Sequence, residues 1–429
     1  MSLLIKGALV VDPSRHLEEP LDLLVEKGKI AALESPGSIP EAGRRVIAAT
    51  GLVATPGLID MHVHLREPGE EYKETICTGS RAAVQGGFTA VACMPNTKPV
   101  NDTAAVTRLI LDQAKAAGNA RVYPVGAISI GSKGEALSEY GDLKAAGVVA
   151  LSDDGRPVSN SMLMRRALEY AKTFDLPIIS HCEDLQLSAD GVMHEGQVSL
   201  QLGLKGVPGA AEEVMVYRDL TLAALTGARL HIAHVSTAGS VAIIRLAKAM
   251  GLQVTAETAP HYFSLTDAAV LGYDTRAKVN PPLRTEMDVK SIKEALRDGT
   301  LDAVACDHAP HSSLEKDLEF SAAAFGLIGL ETSLGLTLKL VHDGTLNLIQ
   351  AIERLSTGPA RILGVAGGTL AKGTPADITL IDLNREWTVD AGAFASKSRN
   401  CPFHGWNLKG KAVMAIVGGR VVWEEESRG

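Results

Sequence analysis

At 429 residues the chain can bury a large core, as one big domain or as a big one and a small one. It is 46% hydrophobic and 21% charged with a formal net charge of -8, an acidic globular composition that excludes any general pull toward nucleic acid or an anionic membrane. Five scattered cysteines with no CxxC pair argue for reduced thiols in a cytoplasm, and neither a leader nor a charge-free membrane-length window is present.

The chain begins with short strand-like segments, Leu3–Val11, Asp22–Glu26, Lys29–Leu33 and Arg45–Ala49, separated by turn residues such as Lys27-Gly28 and Pro36-Gly37. They are too little to be stable alone. Similar segments return near the other end, at Asp377–Asp382, Ala412–Val417 and Gly419–Trp423. Unpaired edges and one-sided apolar faces need partners, so residues 1–55 and 365–429 are expected to form one small composite β domain.

From Pro56 the pattern becomes strand, loop, helix, repeated. Strands are expected at Gly57–His62, Ala90–Met94, Arg121–Val125, Val148–Leu151, Pro177–His181, Arg229–His234, Gln253–Glu257 and Ala303–Asp307. Helical spacing marks Ala104–Ala117, Ser161–Phe174, Ala210–Leu225, Val241–Met250 and Val289–Arg297. Eight such units predict a (β/α)8 TIM barrel over residues 56–364, where a doubly wound sheet would rarely need so many.

Polar residues stand at most of these strand ends. The first strand runs into Asp60-Met61-His62-Val63-His64-Leu65-Arg66, and period-two alternation puts both imidazoles on one face, with Asp60 beneath and Arg66 just above. Later ends carry Asp153-Asp154, His181-Cys182-Glu183, His231 with His234, and Asp307-His308-Ala309-Pro310-His311. A barrel gathers them on one rim, where histidine nitrogens and carboxylates suit Zn²⁺ or a similar ion and a shared carboxylate can bridge two. His231 and His234 should face opposite ways; His234, nearer the rim, is taken as the ligand and His231 as a packed or propping group. Asp153 and Asp154 are alternatives at this level, and His261 could touch the site or be structural. His16, His194, His342 and His404 carry no pattern. The glycine-rich stretches at 364–368 and 418–419 lack a following Lys-Ser/Thr, so no nucleotide-phosphate loop is implied.

Taken together, Pro56–Gly69, Met94–Thr97, Asp153–Gly155, His181–Glu183, His234–Thr237, Lys278–Arg284, Asp307–His311 and Phe325–Glu331 resemble the amidohydrolase superfamily and, within it, the bacterial type I dihydroorotases. The likeness spans nearly the whole chain. It implies reversible cyclisation of N-carbamoyl-L-aspartate to L-dihydroorotate plus water in pyrimidine synthesis, on one or two zinc ions with a metal-held hydroxide as nucleophile. By that pattern His62, His64 and Asp307 hold one ion, His181 and His234 the other, and Asp154 bridges them. No lysine stands at the end of strand four, where many superfamily members carry a carboxylated bridging lysine. Asp307 would be the general acid and base; Arg66, Asn96, Asn280, His311, Phe325 and Gly326 would bind substrate. The resemblance also implies homo-oligomers and a complex with aspartate transcarbamoylase; the polar run His311–Lys316 itself reads as a loop expected to order when substrate or partner is present. The competing readings are a hydantoinase- or allantoinase-like hydrolase and an inactive, dihydroorotase-like scaffold.

Overall fold

The computed structural model describes residues 2–425. Eight parallel strands form the barrel wall in chain order: β1 (Leu58–Val63), β2 (Phe88–Cys93), β3 (Arg121–Gly126), β4 (Ala150–Ser152), β5 (Ile178–Ser180), β6 (Leu230–Ile232), β7 (Val254–Thr258) and β8 (Ala303–Val304). Runs such as Phe88–Cys93 are apolar along their length and buried throughout, as a parallel strand covered on both faces requires. Helices that include Ala104–Ala117, Ser161–Thr173, Ala210–Thr226 and Glu286–Asp298 lie between the strands.

The seam between β1 and β8 is closed by few bonds. Val63 bridges His308, whose carbonyl accepts from the His64 amide at 2.9 Å. Below that, the Asp60 carboxylate accepts the Cys306 amide at 3.1 and 3.2 Å and the His62 amide at 3.1 Å. Burial pushes the Asp60 carboxyl up to about 7, against those same bonds. This residue fastens the barrel directly under the rim.

Two strands stop well short of their expected ends. The ladder at β6 ends at Ile232, so His234 lies outside it, and β8 ends at Val304. The reason is backbone geometry: His234 (φ 34°) and Asp307 (φ 47°) are left-handed, as is Arg66 (φ 59°) just beyond β1. Side chains with a Cβ rarely sit there, and doing so breaks the strand and re-aims the side chain. Alternation therefore does not extend to His234.

The second sheet is mixed and built from both ends of the chain. Its strand order is Arg420–Glu424, Asn407–Val417, Ile378–Thr388, Val53–Pro56, Ser2–Asp12, Leu17–Glu26 and Lys29–Glu34, with Arg45–Ala48 also paired to Ser2–Asp12. The join is antiparallel, Val53 opposite Ile381 and Pro56 opposite Ile378. Leu3, Ile5, Leu23 and Ile30 share one apolar core with Ile378, Leu380, Met414 and Ile416. Gly57 leads from this sheet into β1 against Thr89, whose Oγ1 would lie 2.0 Å from any Cβ at that position. Arg121 of β3 grips Asp377 with two nitrogens, at 2.7 and 3.0 Å.

We propose that residues 1–55 and 365–429 are one folding unit docked on a barrel of residues 56–364. Deleting 365–429 removes the partner of Val53–Pro56 and six of the fifteen buried residues of the shared core. The truncated protein should be insoluble on expression; a soluble, fully active truncation would contradict the proposal.

Candidate metal centre and substrate cleft

Asp154 stands at the middle of the rim. Its Oδ1 lies 3.3 Å from His62 Nε2, 3.5 Å from His234 Nε2 and 3.6 Å from His181 Nδ1, and its Oδ2 lies 3.4 Å from His64 Nε2. Two sets of potential ligands result, His62–His64–Asp154 and Asp154–His181–His234, sharing this one carboxylate. Asp307 adds an oxygen 3.0 Å from His64 Nε2 and 3.6 Å from His62 Nε2. The neighbouring Asp153 turns away and accepts hydrogen bonds from the amide and hydroxyl of Ser129.

The far nitrogens of three of the four imidazoles are tied down, which fixes what their near ones can do; His234 Nδ1 is buried without a partner. His62 Nδ1–H donates to Glu257 Oε1 at 2.8 Å, and His64 Nδ1–H donates to Asn96 Oδ1 at 2.8 Å. His181 Nε2–H donates to Glu183 Oε2 at 3.0 Å, and Glu183 also accepts from Asn280 Nδ2 at 2.9 Å. Each of the three rings is thereby left with its inward nitrogen free to ligate. Behind Glu257, His231 Nε2 lies 3.4 Å from its second oxygen, and His231 Nδ1 is 2.8 Å from Thr255 Oγ1. His231 is thus a prop beneath a ligand.

The residues fit divalent ions. His62 Nε2 and Asp154 Oδ1 are sealed from solvent and neither has a hydrogen-bond partner, although they face each other. Leaving such atoms unsatisfied costs about 1–3 kcal/mol each, and a cation between them satisfies both. The charges agree. Burial would lower the His62 imidazole, but Asp154, Glu257 and Asp307 outweigh it and hold the group well above its ordinary value. His181 is likewise raised, to about 10, by Asp154 and Glu183 against burial. Burial would raise Asp154, but His62, His181 and His234 hold it well below the usual carboxylate range. The cluster demands positive charge at its centre.

Beside it lies a cleft of about 240 Å³ whose walls include Arg66, Asn96, Asn280, His311, Phe325 and Gly326. Arg66 is buried; its partners are the Pro310 carbonyl at 3.2 Å and His311 Nε2 at 3.4 Å, neither of them an anion. Burial drives His311 down to about 3, helped by the charges of Arg66 and Lys73, so its ring is neutral and can accept from Arg66. Asn96 and Asn280 line the cleft while each also holds a neighbour of the cluster. His261 is buried on the short helix Pro260–Ser264 beside Tyr262 and belongs to neither ligand set. His194 lies 3.2 Å from Arg284, away from the cluster.

In the run after His311, Ser313–Lys316 forms a helical turn, with Ser312 and Glu315 as its capping box. Lys316 is buried and donates to the carbonyls of Ala324 at 2.7 Å and Gly326 at 3.0 Å. Glu257 and Asn400 escaped the sequence reading. Glu257 is the one charged residue on an interior strand that otherwise carries only apolar and threonine side chains, which is its signal in the sequence; Asn400 has none.

Two predictions concern the centre. First, Glu257→Ala should weaken zinc binding about 10–100-fold in chelator competition, and Glu257→Gln less, since the amide oxygen can still accept from His62; unchanged affinity in both would contradict the tautomer role. Second, the ion-free cluster holds more protons than the loaded one, because His62 and His181 titrate high. Ion uptake must then release protons, and affinity should climb from about pH 6 to pH 9. Calorimetry in buffers of different ionisation enthalpy measures this, and zero release would contradict it.

The Dihydro-orotase-like family model matches residues 51–240. The chain is 60% identical over 424 residues to a dihydroorotase of Geobacter metallireducens, covering 99% of this chain and 100% of that one. It is 62% identical over 422 residues to a dihydroorotase of Geobacter sulfurreducens, covering 98% and 99%. Among solved structures it superposes on an L-hydantoinase from Arthrobacter aurescens with TM-score 0.88 at 26% identity, covering 99% of this chain and 96% of the other.

Proposed function

The chain belongs to the dihydroorotase family, and we propose that it interconverts N-carbamoyl-L-aspartate and L-dihydroorotate plus water in pyrimidine biosynthesis. The observation that carries the substrate class is Arg66, a buried guanidinium facing the same small cleft as the double ligand cluster. Burial lowers the Arg66 guanidinium although Glu70, Asp307, Asp154 and Glu315 oppose it, and none of these carboxylates pairs with it directly; a ligand carboxylate would relieve that cost. A neutral hydantoin ring would not. All the residues of both ligand sets are present, which speaks against an inactive scaffold, and Asp154 rather than a lysine supplies the bridging group.

Bound divalent ions would make water nucleophilic near neutral pH and polarise the carbonyl under attack. Asp307 manages the proton. In the hydrolytic direction water adds to ring carbon C4, its proton passes to the Asp307 carboxylate, the C4–N3 bond breaks, and Asp307 returns the proton to N3. In the cyclising direction Asp307 takes a proton from the carbamoyl nitrogen as that nitrogen bonds to the carbon of the side-chain carboxylic acid, then gives it to the departing hydroxyl, which leaves as water. Burial would raise the Asp307 carboxyl, but the bond from His64 and the charges of His62, His64 and His234 hold it below its ordinary range, ionised and ready to accept. Arg66 holds the ring carboxylate with its planar fork, beside His311 and the Asn96 amide; Asn280 reaches the ring amides, and Phe325 and Gly326 close the wall.

We also propose that the protein works in the cytoplasm, self-associates, and pairs with aspartate transcarbamoylase. Five free thiols support a reducing compartment, and no helix among the described residues is long and apolar enough to cross a membrane. Exposed Val214, Tyr217 and Leu225 on the helix Ala210–Thr226 support association.

Arg66→Ala should keep its metal yet lose about 2–5 kcal/mol of transition-state binding, or roughly 30- to 5,000-fold in kcat/KM for dihydroorotate. Lysine should rescue poorly. Metal loss in the alanine variant, or wild-type protein that hydrolyses hydantoin in preference to dihydroorotate, would sink the reading.

A further inference from the structure

The cleft wall is made by two loops far apart in sequence from a third segment that holds them. His311 follows β8, and Phe325 with Gly326 comes after the helical turn Ser313–Lys316. The two loops touch closely. Gly326 has φ 131°, and a Cβ there would lie 2.8 Å from Ala309 Cβ and 3.1 Å from the His311 ring. The third segment, Ala395–Cys401, lies between the sheet strands Ile378–Thr388 and Asn407–Val417 and leaves that sheet to reach the barrel rim.

This segment is anchored before it arrives. The Ala395 amide donates to Glu331 at 2.8 Å, the Ser396 hydroxyl and Lys397 amide donate to Glu74, and the Ser398 hydroxyl donates to the Lys73 carbonyl at 2.8 Å. Glu74 also accepts from His308, next to Asp307. The next turn presents Asn400, which is 4% exposed. Its Nδ2 donates to the carbonyls of Ala309 at 3.0 Å and Gly326 at 3.1 Å, and its Oδ1 accepts the His311 amide at 3.3 Å. Its own carbonyl accepts the Ile328 amide at 3.1 Å.

We propose that Asn400 is a positioning residue for recognition of the substrate's carboxylate: it clamps the loop of His311 to the loop of Phe325 and Gly326, and so sets where His311 meets Arg66. The inference rests on the cleft taking an acidic ring. The chemistry of the clamp is restrictive. Two carbonyls and one amide must be met at once from a short stem, which takes two donors and an acceptor. Aspartate has no donor, glutamine is a methylene longer, and alanine has neither group. A clamp acting on His311 governs how the anion is held and leaves the metal cluster alone, because neither His311 nor Asn400 is a member of either ligand set. The small β domain would thereby contribute to substrate affinity through a residue that never touches substrate.

The test compares zinc-loaded wild type with Asn400→Asp and Asn400→Ala. KM for dihydroorotate should rise about tenfold or more with kcat within about threefold and zinc content unchanged. Competitive inhibition by dihydrouracil, the same ring without the carboxylate, should be unaltered. An unchanged KM, zinc loss in proportion to activity, or equal weakening of the acidic and neutral rings would overturn the proposal. Should neither variant fold, hydrogen exchange on the wild type decides: dihydroorotate should protect amides in 309–328 and in 396–401 together, and protection confined to the first stretch counts against the clamp. Wild type that neither binds nor turns over dihydroorotate would remove the substrate reading itself, a result separate from variants that match an active wild type.

Discussion

A carboxylate sealed among four imidazoles is the constraint on which the rest depends. Asp154 is buried with His62, His64, His181 and His234 and needs positive charge among them; no lysine or arginine is placed there, and without ions only protonated imidazoles can supply it. Divalent ions meet that demand and also saturate the inward nitrogens. The surrounding architecture serves to hold five groups from four strand ends at one point. Parallel strands supply the rim, and left-handed turns at His234 and Asp307 bend those two side chains toward it.

A second ring of groups makes the first one usable. Glu257, Asn96 and Glu183 each accept the outward N–H of one imidazole, so ring orientation is settled before any ion arrives and the inward nitrogen is the one that gives up its proton. Asn96 and Asn280 also wall the adjoining cleft, so each amide both holds a neighbour of the cluster and lines that cleft. The buried Asp60 performs a similar service for the barrel, joining β1 to β8 where direct ladder bonds are few. The ligand cluster, the cleft wall and the barrel closure therefore share neighbouring residues.

Much of this was legible in the sequence. The HxH at the end of an apolar run, the eightfold strand–helix alternation and the matching strand segments at both ends all report local periodicity, and local periodicity survives in a linear string. What escaped depends on three-dimensional return. Glu257 sits on a strand that looked like plain barrel wall, and only the closed barrel turns its carboxylate toward His62. Asn400 lies in a segment with no periodic signal and acts on loops centred on His311 and Gly326. The choice of Asp154 over Asp153 follows from Ser129, which captures the other carboxylate. The run after His311 reads as polar loop, yet Lys316 finds backbone carbonyls for its ammonium and is buried.

The central claim is that one carboxylate is shared by two ions. Electron paramagnetic resonance of the protein saturated with Mn²⁺ in place of zinc addresses it directly, since two ions joined through Asp154 must couple magnetically. The account predicts a broadened, exchange-coupled spectrum in the wild type that collapses to uncoupled signal in Asp154→Asn. Resolved hyperfine lines of independent ions in the saturated wild type would contradict it.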